Sequence, residues 1–87
     1  MLINQSAGMS PTILRLGPYR FYFNSREETR MHVHIEAGEG AAKFWLEPIV
    51  ALATYEHLDS DELRAIEQIV EERQDDFRSR WHQHFSQ

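Results

Sequence analysis

The sequence contains no cysteine among its 87 residues. Disulfide frameworks, thiolate zinc sites and cysteine nucleophiles are therefore excluded, and we expect a protein of the reducing cytoplasm. No apolar run approaches the roughly 18 residues that a membrane-spanning helix needs. Residues 1–10 also lack the basic start and the sustained apolar stretch of a secretion signal, so we expect no membrane association.

Positive charge is also scarce. Nine Lys and Arg residues against fourteen Asp and Glu residues give a net charge of −5, which argues against general affinity for nucleic acid. The acidic excess lies between Glu47 and Asp76, whereas the first half of the chain is richer in basic residues. These are Arg15, Arg20, Arg26, Arg30 and Lys43. A locally basic surface on an acidic protein is compatible with this distribution.

No linker, repeat or low-complexity tract divides the chain, so we expect a single domain over residues 11–87. A domain of this length is just large enough to form one hydrophobic core. Residues 1–10 are small, polar and aperiodic, and we expect a flexible tail there. Met9 is an alternative to Met1 as the start of translation.

The segment His32 to Glu36 alternates strictly between polar and apolar residues. In a strand such alternation sends Val33 and Ile35 into a core and leaves His32, His34 and Glu36 as a row on the opposite face.

Three further segments follow strand patterns. Thr12–Leu16 and Tyr19–Phe23 flank a Gly17-Pro18 turn and predict a hairpin before the histidine row. Ala41–Leu46 predicts a strand after it. Residues 49–53 fit either an edge strand, which we favour, or a helical turn, because periodicity does not separate the two.

The C-terminal segment has helical periodicity. Asp59 and Glu62 are spaced like a capping box, with Ser60 as an alternative N-cap. The apolar positions that share one helical face are Leu63, Ile66, Val70, Phe77, Trp81 and Phe85. A single helix of about 25 residues would be roughly 38 Å long, so we expect Trp81 and Phe85 to overhang the sheet and bind a partner or a second copy of the chain. The predicted fold is α+β, with a small antiparallel meander of three to five strands packed against one long C-terminal helix.

The histidine row suggests a metal site. Neutral imidazoles and a nearby carboxylate suit borderline divalent metals such as Zn, Mn or Ni. His32, His34 and Glu36 are the predicted ligands.

A second reading of the row is acid–base catalysis without a metal. Imidazole titrates at about pH 6.5, so one of the two rings, His32 or His34, could accept a proton while the other donates one. Basic and aromatic residues on the same face would bind phosphates and bases, which predicts a small hydrolase acting on RNA. These substrate-binding candidates are Arg15, Arg20, Tyr22, Lys43 and Trp45.

A third reading has no chemistry and is the one we favour. Tyr, Trp and Arg are enriched in the energetic hot spots of protein interfaces. The polar sheet face and the aromatic helix end, Trp81 and Phe85, would then be protein-binding surfaces.

Three segments together resemble a known family. They are Pro11-Thr12-Ile13-Leu14-Arg15, the row from His32 to Glu36, and Ala42-Lys43-Phe44-Trp45-Leu46 with Pro48. In order and spacing they resemble short bacterial proteins grouped as domain-of-unknown-function family 4160, over about residues 11–85. The family commonly has two prolines before its His-x-His element, where this chain has Arg30-Met31.

The resemblance implies a small cytoplasmic bacterial protein whose partner is a protein encoded nearby. It further implies a component of a toxin–antitoxin-like pair, because members of the family are often encoded beside another small protein. The resemblance identifies no established catalytic residue.

Overall fold

The structure is a computed structural model that describes residues 12–24 and 30–85. The predicted tail at residues 1–10 lies outside the described residues. No helix within the described ranges is long and apolar enough to cross a membrane.

Five strands form one antiparallel meander in chain order, which confirms the predicted sheet. The strands are β1 (Thr12–Leu16), β2 (Tyr19–Tyr22), β3 (His32–Ala37), β4 (Gly40–Trp45) and β5 (Ala51–Glu56). The expected edge strand at 49–53 exists but begins later, at Ala51, which pairs with Trp45. Residues 46–50 are needed to reverse the chain after β4, and Pro48 has no N–H to give to a ladder.

The predicted single long helix is wrong. The chain forms α1 (Ser60–Glu72) and α2 (Gln74–Phe85), separated at Arg73, whose φ of −112° and ψ of 15° are not helical. Continuing one helix through this point would place Glu71 beside Asp75 and Glu72 beside Asp76, and like charges four residues apart destabilise a helix. A new helix beginning at Gln74 instead puts both aspartates at its positive N-terminal end.

Both helices pack on one face of the sheet and form a continuous core with it. The largest buried side chains from the sheet side are Phe21, Phe23, Val33, Ile35, Phe44 and Leu46, and those from the helices are Ile66, Val70 and Phe77. Arg78 joins the two layers, because its Nε donates to the carbonyl oxygen of Leu46 over 2.9 Å. The opposite face of the sheet carries the polar residues of the alternating strands.

Candidate partner-binding face

Strand register places the polar residues of four strands side by side. Tyr22 is opposite His34, His34 is opposite Lys43, and Lys43 is opposite Thr54. Residues directly opposite in antiparallel strands have Cβ atoms about 5 Å apart, so their side chains touch. We call this surface the polar face and define it by Arg15, Arg20, Tyr22, His34, Glu36, Lys43, Trp45, Thr54 and Glu56.

Cations lie on aromatic rings across the polar face. The Arg20 guanidinium carbon is 4.3 Å from the centre of the Tyr22 ring, and that ring stacks on His34 with centroids 5.2 Å apart. Arg30 and Lys43 both lie over Trp45, at 4.0 Å and 4.5 Å from the ring centre. Each such contact is attractive, so the rings favour positions of these cations close to the face.

Acidic residues alternate with these cations. Arg20 Nη1 is 3.1 Å from Glu36 Oε1, and Arg20 Nε donates to Thr12 Oγ1 over 2.6 Å. Arg15 lies opposite Arg20 on the neighbouring strand and is exposed. The substrate-binding candidates Arg15, Arg20, Tyr22, Lys43 and Trp45 are therefore brought to one surface, as their alternation predicts.

The cavity on this face lies where the strand side chains are small. It has a volume of about 270 Å³, and its lining includes Tyr22, His34, Ala41, Lys43, Thr54 and Glu56. Ala41 pairs with Glu36 on one side and Glu56 on the other, so a methyl group stands where longer side chains flank it.

His32 does not lie at the surface as the alternating pattern suggests. Its exposed fraction is 0%, and Trp81, Trp45 and His34 surround its ring. Its Nδ1 is 2.6 Å from the carbonyl oxygen of Arg30. Because a carbonyl only accepts, Nδ1 carries the proton and donates it. A substrate does not reach this imidazole in the folded chain.

The predicted metal ligands do not converge. Within residues 12–24 and 30–85, no three His, Cys, Asp or Glu side chains are placed to hold one metal ion. The rings of His32 and His34 are 5.0 Å apart in an edge-on arrangement, and Glu36 is drawn to Arg20 instead. The described residues therefore give no support to the metal site predicted at His32, His34 and Glu36.

The aromatic helix end is also less exposed than its sequence suggests. Trp81 is 7% exposed and packs on Phe23, with ring centroids 5.3 Å apart, so it belongs to the core. Phe85 keeps 36% of its surface exposed. Only Phe85 of this predicted pair offers surface to a partner.

Sequence reasoning missed two residues of the polar face, Thr54 and Glu56, and one residue that adjoins it, Arg30. Arg30 lies over Trp45, and its position two residues before His32 was a usable signal. Thr54 and Glu56 were missed because β5 was expected to end at Ala53.

Comparison with known proteins agrees with the resemblance described above. Residues 19–82 match the family described as "Domain of unknown function (DUF4160)". No curated protein and no solved structure matches the chain. The match covers β2 to β5 and both helices almost to their end, and the chain therefore belongs to the DUF4160 family.

Proposed function

We propose that this chain is a partner-binding domain and that its polar face binds a protein encoded nearby. The observation that carries this proposal is the set of cations held on aromatic rings, Arg20 on Tyr22 and both Arg30 and Lys43 on Trp45. Tyr, Trp and Arg are the residue types that dominate interface hot spots, and restrained side chains lose less entropy on binding.

The biological context of this interaction is inferred from the resemblance to the family. We infer that the chain is one component of a toxin–antitoxin-like pair in the bacterial cytoplasm. Association of two copies through the same face would be the homodimeric form of the same binding activity.

Hydrolysis of RNA, the second function considered, has less support. The predicted acid–base pair, His32 and His34, would need both imidazoles within reach of the substrate. His32 is fully buried and its Nδ1 is held by a backbone carbonyl, while the Nε2 atoms of both His32 and His34 are buried. The surface suits binding better than proton transfer.

Co-expression with the protein encoded beside this chain, followed by size-exclusion chromatography, tests the proposal. We expect a stable complex with the unaltered chain and a weakened one with Trp45→Ala. Arg64→Ala is the control, because Arg64 is exposed on α1 and pairs only loosely with Asp61 at 3.6 Å. Far-UV circular dichroism checks that Trp45→Ala remains folded. If Trp45→Ala leaves the complex intact, the polar face is not the binding surface.

A further inference from the structure

The last strand, β5, forms an open edge of the sheet. Among the strands within residues 12–24 and 30–85, only β4 pairs with β5. An edge strand turns part of its N–H and C=O groups away from the sheet, where another strand can pair with them. Proteins commonly protect such edges with charged residues or proline. The other edge strand, β1, carries exposed Arg15, whereas β5 contains no proline and Glu56, at its end, is its only charged residue.

This edge also exposes apolar side chains on the helix side of the sheet. Leu52 lies opposite Phe44. A shift in register then brings Tyr55 opposite Ala42, on the same face. Phe44 and Ala42 belong to the core, but Leu52 is 42% exposed, Tyr55 is 53% exposed, and no residue of β5 is fully buried. The helix layer therefore stops short of β5 and leaves two large apolar side chains uncovered.

We propose that a second copy of this chain pairs with the β5 edge, strand against strand and antiparallel. In the symmetric register, Leu52 of each copy lies opposite Tyr55 of the other. Each such pair buries apolar area from both strands, and the pair occurs twice. The same register places Glu56 opposite Ala51, so no like charges meet. The sequence of β5 is thus complementary to itself, which favours a second copy over an unrelated strand.

The symmetry of this contact also brings cover for the exposed side chains. An antiparallel pair of identical strands is related by a two-fold axis perpendicular to the sheet, and such a contact closes as a dimer. The five strands of each copy then form one continuous sheet with both helix layers on the same side. Leu52 and Tyr55 lie on that side, between the two helix layers. The polar faces lie together on the opposite side, so this dimer does not depend on the proposed function.

Sedimentation equilibrium of the full chain, without any partner, tests the inference. As the concentration rises, we expect the average mass to increase from 10.3 kDa to twice that value and no further. Each copy has a net charge of −5, so the copies repel each other and the association rests on backbone hydrogen bonds and apolar contact. Added salt should therefore strengthen the dimer, because it screens the repulsion.

Two substitutions with a matched control locate the contact. Leu52→Lys and Tyr55→Lys each place a charge in the interface twice, so each should weaken dimerisation at least about tenfold. Leu16→Lys is the control, because Leu16 is an exposed apolar residue at the end of the other edge strand, and it should leave the dimer unchanged. Far-UV circular dichroism and the thermal unfolding midpoint check that each variant is folded.

Amide hydrogen exchange of the unaltered chain, followed by NMR, tests the same edge without a substitution. In the dimer we expect slow exchange for all amides from Leu52 to Tyr55, because both edges of β5 are then paired. On dilution, the amides that point to the open edge should become fast while those bonded to β4 stay slow.

Four results would overturn the inference. A chain that stays monomeric at every concentration has no such contact, and a mass that climbs beyond the dimer indicates a contact that does not close. Equal losses from Leu52→Lys and Leu16→Lys would remove the contact from β5. If the amides of β5 become protected only when the protein encoded beside this chain is added, the edge accepts a foreign strand and the second copy is the wrong occupant.

Discussion

The ring of His32 lies against the indole of Trp81, with centroids 5.1 Å apart. One residue comes from the first position of β3 and the other from near the end of α2. Trp81 contacts this ring and His32 is fully buried, although it stands on the strand face that also carries His34.

This contact predicts unequal effects of removing the two histidines. His32→Ala leaves a cavity beside Trp81 and takes the donor from the carbonyl of Arg30, so we expect it to lower the free energy of unfolding by about 2–4 kcal/mol. His34→Ala should cost less, since His34 is only half-buried. Urea unfolding measures both, with His82→Ala on the exposed side of α2 as the control. Equal losses for His32 and His34 would contradict this account.

The N-terminus of α1 gives a second prediction. Sequence alone leaves Asp59 and Ser60 as candidates, whereas Asp59 Oδ1 accepts from the Glu62 N–H over 2.8 Å and Glu62 Oε1 accepts from the Asp59 N–H over 2.9 Å. We expect Asp59→Ala to lower the free energy of unfolding by about 1 kcal/mol. Thermal unfolding of Asp59→Ala and Ser60→Ala decides which residue is the N-cap. A larger loss of stability for Ser60→Ala would make Ser60 the N-cap.

The hydrogen bond of Arg78 gives a third prediction. Arg78 Nε donates to the Leu46 carbonyl oxygen and thereby ties α2 to the end of β4. Arg78→Met should lower the free energy of unfolding by about 1.5 kcal/mol, because a partly buried bond to a charged donor is lost. Arg80→Met is the matched control. Arg80 pairs with Asp76 at 3.0 Å within the same helix, and such exposed pairs contribute about 0.5 kcal/mol or less. Denaturant unfolding measures both variants. A larger loss of stability for Arg80→Met than for Arg78→Met would be evidence against a stabilising bond between Arg78 and Leu46.

The close packing around Gly40 gives a fourth prediction. A Cβ at this position would meet the Leu58 side chain and the carbonyl oxygen of His57. We expect Gly40→Ala to destabilise the fold by about 1–3 kcal/mol, since backbone must move to admit the methyl group. Gly38 lies in the turn that precedes Gly40, with a φ of 60° and open space around it, so Gly38→Asn should be tolerated. Chemical unfolding compares the two, and a Gly40→Ala variant as stable as the unaltered chain would disprove the close approach.

The sheet could be predicted from sequence because its strands alternate between apolar and polar residues. Val33, Ile35 and Phe44 are buried as their positions require, and Tyr22, His34 and Lys43 share the opposite face. Alternation fixes which face a side chain takes. It does not say what else covers that face, and this is why the burial of His32 under Trp81 was not foreseen.

The break between α1 and α2 could not be predicted from sequence either, for a different physical reason. The steps from Ile66 to Val70 and from Val70 to Phe77 suit one continuous helix as well as two. Only the acidic pairs on either side of Arg73, Glu71-Glu72 and Asp75-Asp76, indicate a change of helix. The Leu46 carbonyl that binds Arg78 is 32 residues away in sequence, so local patterns could not place α2.

Calorimetric titration with the protein encoded beside this chain tests the central claim most directly. The two variants to compare are Tyr22→Ala on the polar face and Phe85→Ala at the exposed end of α2. We predict that Tyr22→Ala weakens binding at least about tenfold, as loss of an interface hot spot does, while Phe85→Ala leaves the affinity unchanged. A large loss for Phe85→Ala with none for Tyr22→Ala would place the partner on the helix end and contradict the polar face as the binding surface.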